Sequence, residues 1–136
     1  MQEVDIAIKE GNSPFAAFLL DSNGNVLFKE HNTVNTKMDP TAHAEMNLIK
    51  NACKKLQTKD LSNYILISNA WSCSMCMSAL IKAKIQNYIF GAESESNMNP
   101  YITIFDIQNK TKNNLNITTD ILKKECTKQI EDARKN

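Results

Sequence analysis

The chain has 136 residues, sixteen basic against fifteen acidic, and 42% apolar residues. That length predicts one domain over residues 1–136, burying roughly two-thirds of its unfolded surface. A formal charge of +1 excludes the strong basic excess of a dedicated nucleic-acid binder and makes a small polar substrate the easier reading.

Residues 15–20 read as a buried strand, Asp21-Ser22-Asn23-Gly24 as a turn, and residues 26–31 as the returning antiparallel strand of a hairpin. Asp39-Pro40-Thr41 reads as a helix start, followed by Met46, Ile49, Cys53 and Leu56 at helical spacing. Residues 64–68 form a short apolar run suited to a central strand covered on both faces. Ser72 is the expected cap of a second helix carrying Cys73, Cys76, Leu80 and Ala83 along one side, and residues 86–90 read as the next strand. The crossover between these two strands is expected to be right-handed. Residues 93–114 are rich in Ser, Asn, Lys and Thr, and the apolar stretch 101–107 fits strand or helix. Residues 115–118 read as a short strand, with Thr119 capping a last helix whose stripe is Ile121, Leu122, Cys126 and Ile130. The basic end from Arg134 reads as a solvated tail. Strand and helix signals alternate without repeats, which predicts an α/β layer fold.

No apolar run approaches eighteen residues and no basic start precedes an apolar stretch, so neither a membrane span nor a secretory signal is expected. A cytoplasmic location follows as the expectation. Cys73 and Cys76 are too close for an ordinary framework disulfide, and Cys53 and Cys126 sit singly in helical patterns as small apolar residues. The methionines, Met75, Met77 and Met98 among them, read as packing. His31 reads as a strand-end histidine rather than a ligand.

The chemistry resides in two motifs about thirty residues apart, His43-Ala44-Glu45 and Cys73-Ser74-Met75-Cys76. One imidazole and two thiolates suit zinc, and three protein ligands leave a fourth position for water. Glu45 is the candidate general acid and base for that water. In a regular helix residues two apart diverge, but side chains of a first turn lean back toward its N-terminus, so His43 and Glu45 can both approach an ion there. Cys73 and Cys76, three apart at another helix start, place both sulfurs on one face where the thiolate is favoured. Taken alone, the cysteine pair fits a thioredoxin-like redox site equally well. His43-Ala44-Glu45 shifts the balance to zinc.

With both motifs on the page, the chain resembles the zinc-dependent cytidine deaminase superfamily, whose signature pairs H-x-E with P-C-x-x-C. Its motifs are most similar to those of guanine-type nucleobase and nucleoside deaminases and of tRNA adenosine deaminases. Asp39-Pro40-Thr41-Ala42-His43-Ala44-Glu45 carries the match to the first zinc helix, Ser13-Pro14-Phe15 resembles the first strand, and His31-Asn32 the end of the second. Met75-Cys76 and Phe90-Gly91-Ala92 resemble the stretch after the zinc cysteines, and residues 117–126 the closing segment of the tRNA enzymes.

The resemblance implies a three-layer α-β-α fold with a central mixed five-stranded sheet, and hydrolytic loss of ammonia from a nucleobase or nucleoside. It implies one Zn2+ per chain held by His43, Cys73 and Cys76, with water or hydroxide as fourth ligand and Glu45 moving protons. Asn32 matches a base-binding asparagine, and the Ala44 backbone N–H would meet substrate or the attacking oxygen. Trp71 is either core filling or a wall on which a base stacks. A homodimer is expected, because dimers are common among such relatives.

Two departures bear on substrate. Trp71-Ser72 stands where relatives usually have Glu-Pro, and Asp132-Ala133-Arg134-Lys135 lacks the aromatic pair that often closes the tRNA enzymes. A free purine base or nucleoside is therefore the preferred substrate, with cytosine also open. The alternatives are a tRNA adenosine deaminase and a non-catalytic zinc-binding subunit.

Overall fold

The computed structural model describes residues 1–93 and 98–134. Five strands, β1 (Ala16–Leu20), β2 (Val26–His31), β3 (Ile65–Ala70), β4 (Asn87–Ala92) and β5 (Asn116–Thr118), form one sheet in the order β2-β1-β3-β4-β5. β1 is antiparallel to β2 and β3, whereas β3, β4 and β5 run parallel, so the sheet is mixed as expected.

Six helices flank it: α1 (Gln2–Lys9), α2 (Val34–Lys37), α3 (Ala44–Leu56), α4 (Ser74–Lys82), α5 (Ile104–Lys110) and α6 (Lys123–Arg134). On one side α3, α4 and α5 share the main core. Ala44, Leu48 and Ala52 recur every fourth residue along α3 and meet Leu19 of β1, Leu80 of α4 and Ile104 of α5. Burying Leu48 alone stabilises the fold by about 1.5–3 kcal/mol. On the other side Cys126 and Ile130 of α6 pack with Ala70, Ala92 and Phe15. Gln129 of α6 donates to the Met1 carbonyl at 3.0 Å and to Asp5 at 2.9 Å, joining α6 to α1. The result is the three-layer α-β-α arrangement.

Several local expectations are corrected. The helix expected from Asp39-Pro40-Thr41 begins at Ala44, with His43 as its N-cap. Asp39 Oδ1 instead accepts from the Thr41 amide at 2.8 Å and hydroxyl at 2.7 Å, a local turn that competes with helix. The cap of α4 is Cys73, not Ser72.

Residues 104–110 are helical because Thr103 and Asp106 form a reciprocal capping box. The last helix starts at Lys123 rather than after Thr119, since Asp120 and Leu122 adopt positive φ of 67° and 50°. Ile121 and Leu122 therefore lie in the exposed turn outside its stripe, while Cys126 and Ile130 are buried as expected. Cys53 is only half-buried.

Helix α1 and the short α2 escaped the sequence reading. In α1 the spacing of Val4 and Ala7, both buried, was the available signal. Residues 94–97, within the Ser-, Asn-, Lys- and Thr-rich region 93–114, and the tail residues 135–136 lie outside the described residues.

Candidate metal and catalytic site

The two motifs converge where α3 and α4 begin. His43 and Cys73 are the N-cap residues of their helices, each with extended backbone (φ −68°, ψ 156° and φ −70°, ψ 170°). Neither side chain caps its own helix. Both turn toward the other helix start, and His43 Nδ1 lies 3.5 Å from Cys73 Sγ and 3.5 Å from Cys76 Sγ. Among the described residues, these three make the one cluster of potential metal ligands, with all ligand atoms within 4.8 Å of one another.

The local electrostatics suit a cation. A hydrogen bond with Cys76 holds the Cys73 thiol down at about 4, with His43 adding to the effect. The same bond and burial push Cys76 up, so the pair shares its proton unequally. The Cys73 contact raises His43 above the ordinary histidine value against its burial. Two helix N-termini meeting here add their partial positive charge in favour of thiolate. A borderline-soft donor set of one nitrogen and two sulfurs fits zinc.

Glu45 follows His43 by two residues and is 6% exposed. Burial raises its carboxyl above the usual carboxylate range. Ser72 Oγ, fully buried and short of a complete hydrogen bond, pulls it partly back. A carboxyl raised by burial suits a proton carrier.

These groups open on a cavity of about 710 Å³ lined by Asn32, His43, Glu45, Trp71 and Cys73, with residues of α1, β3 and the end of α6 completing its wall. Asn32 is buried, and its Oδ1 accepts from the Val34 amide at 3.0 Å. That bond makes the turn after β2, and no described residue engages Nδ2. Trp71 lines the cavity and packs edge-to-face on Phe105 at 5.3 Å between centroids. Ala44 is fully buried at the first position of α3, where helix geometry leaves the N–H without an intrahelical acceptor. His31 stands at a strand end as expected, 3.0 Å from Glu3 and 3.1 Å from Glu10.

The sequence reading missed two side chains that build the site. Asn47 Nδ2 donates to the His31 carbonyl at 3.0 Å and Thr33 Oγ1 at 2.9 Å, pinning the start of α3 to the end of β2. Asn69 accepts from the Ala16 amide and donates to the Pro14 carbonyl, both at 2.9 Å, holding the cavity-lining segment before β1. A polar residue interrupting an apolar helix face or strand end was the only signal for either. Arg134, at the end of α6, is exposed as expected and also borders the cavity.

Residues 1–92 match the family model of the cytidine and deoxycytidylate deaminase zinc-binding region. The chain belongs to this family. The matched segment contains His43, Glu45, Cys73 and Cys76 and ends with β4.

A tRNA-specific adenosine deaminase of Aquifex aeolicus is 39% identical over 92 residues, 68% of this chain and 60% of that protein. A tRNA-specific adenosine deaminase of Haemophilus influenzae is 29% identical over 132 residues, 96% of this chain and 76% of the other. The structure of a guanine deaminase from Nitrosomonas europaea superposes with a TM-score of 0.82 at 23% identity, over 99% of this chain and 80% of that one. The last likeness is one of fold. Among the described residues, no helix is long and apolar enough to cross a membrane.

Proposed function

We propose that this chain is a zinc-dependent hydrolytic deaminase that replaces the exocyclic amine of a nucleobase or nucleoside by oxygen, consuming water and releasing ammonia. The observation that carries the reading is the His43, Cys73 and Cys76 cluster, two of whose members, His43 and Cys73, line the same cavity as the buried Glu45. Membership of the deaminase zinc-binding family supports it.

His43, Cys73 and Cys76 hold one zinc ion per chain, with the fourth position left to water. When bound, the ion supplies Lewis-acid activation, lowering the pKa of water from about 16 toward about 7. Glu45 accepts one proton from the attacking water and delivers it to the ring nitrogen, then carries the second, from the added hydroxyl, to the departing amine. The Asn32 amide and the Ala44 N–H orient the base, and Trp71 walls the pocket. Burial of Glu45 favours its protonated form, which suits the delivery half of that cycle.

A purine is the preferred base, in keeping with the tRNA-specific adenosine deaminase relatives, which act on adenosine by name. The reading includes one domain over residues 1–136, a homodimer and a cytoplasmic location. The test is ammonia release from common bases, nucleosides and nucleotides by zinc-loaded protein. Glu45→Ala is expected to lose at least about a hundredfold in rate while elemental analysis finds zinc still bound. Retained turnover in that variant refutes the role of Glu45.

A second reading, a tRNA-directed adenosine deaminase, is favoured by the Aquifex and Haemophilus relatives. Inosine formation in an anticodon stem-loop, with no turnover of free bases or nucleosides, would select it.

A further inference from the structure

We propose that Asn12 is a positioning residue: it fixes the short helix α2, and through α2 the side-chain amide of Asn32 that meets the base. The proposal rests on the deaminase reading above, in which Asn32 orients the base.

Helix α2 has four residues, and its N-cap Thr33 makes no side-chain cap bond. The opening amides of a helix have no intrahelical acceptor, and two asparagines from outside α2 take that place. Asn32 Oδ1 accepts from the Val34 amide at 3.0 Å. Asn12 Oδ1, in the turn after α1, accepts from the Asn35 amide at 3.0 Å and the Thr36 amide at 3.2 Å. One carbonyl oxygen has a lone pair for each. Asn12 Nδ2 donates to Thr36 Oγ1 at 3.3 Å, so both ends of the Asn12 amide are spent on α2.

The clasp is anchored on the α1 side. Asn12 is 7% exposed, and its backbone amide donates to the Ala7 carbonyl at 2.8 Å. Asn35 Nδ2 returns a bond to the Gly11 carbonyl, also at 2.8 Å. His31, next to Asn32, stands between Glu3 of α1 and Glu10 at the C-cap of that helix. The corner from His31 to Thr36 therefore takes its position from α1 and the turn after it.

Asn32 is buried and lines the cavity with Asn12, Val34 and Asn35. With Oδ1 committed to Val34, Asn32 offers a base its Nδ2 donors, which suit a carbonyl oxygen or an unprotonated ring nitrogen. Turned over, the same amide would present an acceptor and reverse that choice. The Val34 amide prevents the turn only where α2 stays in place, and Asn12 is the side chain that holds it there.

The test compares zinc-loaded wild type with Asn12→Leu, Asn12→Ser, Asn12→Asp, Asn32→Ala and the Asn12→Leu/Asn32→Ala double variant, with Tm and zinc content checked for each. In proton-nitrogen correlation spectra the Asn32 side-chain amide pair is assigned by its loss in Asn32→Ala. It is expected to shift or broaden in Asn12→Leu while the backbone amides of Leu66 and Ile67, in the central strand, stay in place. Asn12→Asp keeps an acceptor for both α2 amides and should return the pair toward its wild-type position. Asn12→Ser, too short to reach both amides, stands in for Asn12→Leu should that variant fail to fold.

Turnover of adenine, guanine, cytosine, their nucleosides and an anticodon stem-loop RNA is measured in parallel. For whichever is deaminated, Asn12→Leu is expected to raise KM about threefold to tenfold with kcat within about twofold, as for a contact made equally in ground and transition states. That rise should vanish in the Asn32→Ala background, because the two residues act through one group. An Asn32 amide signal indifferent to a folded Asn12→Leu or Asn12→Ser protein overturns the proposal, as does a KM penalty that persists undiminished without Asn32. Absence of turnover for every probe sinks the deaminase reading instead, and the amide signal then still decides whether Asn12 positions Asn32.

Discussion

His43 and Cys73 occupy N-cap positions without capping their helices. A serine, threonine, aspartate or asparagine at such a position stabilises a helix by about 0.5–2 kcal/mol relative to alanine, so placing ligands there forgoes that stabilisation. Beside them, Trp71 Nε1 is buried without a hydrogen-bond partner, a cost of about 1–3 kcal/mol. Local rules are broken together on the residues that enter the site, which is where function outweighs stability.

Asp39 offsets some of this by organising the turn that leads to His43. Its hydrogen bonds from Thr41, side chain then backbone, hold its carboxyl below the ordinary aspartate range. A carboxylate with a depressed folded-state pKa stabilises above its unfolded pKa and loses that contribution as pH falls through the folded value. Asp39→Ala is therefore expected to lower Tm near neutral pH, with the difference from wild type shrinking once pH drops below about 3.8. A thermal melt series from pH 7 to pH 2 checks this. A difference that grows on acidification contradicts it.

At the scale of elements, the site depends on close contacts between strands and the helices over them. A Cβ at Gly91 on β4 would lie 2.6 Å from the Asn69 carbonyl oxygen of β3 and 2.7 Å from Cys126 Sγ of α6. Gly91→Ala is expected to destabilise the fold by about 1–3 kcal/mol, read by chemical denaturation. Adding Cys126→Ala should recover only part of the loss, because it removes the sulfur and leaves the backbone oxygen. Full recovery would show that the β3–β4 approach is looser than the geometry indicates. The same contact connects distant parts of the chain: Asn69, whose side chain holds the segment before β1, is the neighbour that excludes a side chain at position 91.

For the whole molecule, a metal at His43, Cys73 and Cys76 would join the starts of α3 and α4 across thirty residues of sequence. Because such a cluster is assembled only in the folded chain, zinc binding is folding free energy. At zinc a thousandfold above its Kd the gain is about 4 kcal/mol. Chelation is therefore expected to lower Tm, and zinc, added in steps, to restore it in a concentration-dependent way. Hydrogen exchange should show the first turns of α3 and α4 losing protection before the strands do. A Tm indifferent to chelator would remove the link between metal and fold.

The ligand types, the proton carrier and the alternation of strand and helix were legible in the residues themselves. Zinc chemistry demands particular side chains at short spacing, and a buried face repeats every two or three to four residues. The hairpin, α3, α4 and the short β5 were legible for that reason. The starts of α3 and α6 were not, because Asp39, Asp120 and Leu122 settle into local turns that compete with helix. Which side chains face the reacting groups was decided by tertiary structure alone. The packing of α6 on β4 and of α1 on β1 and β2 brings Arg134, Phe15 and Asn12 to one cavity. These are contacts between segments far apart in the chain, and no local pattern encodes them.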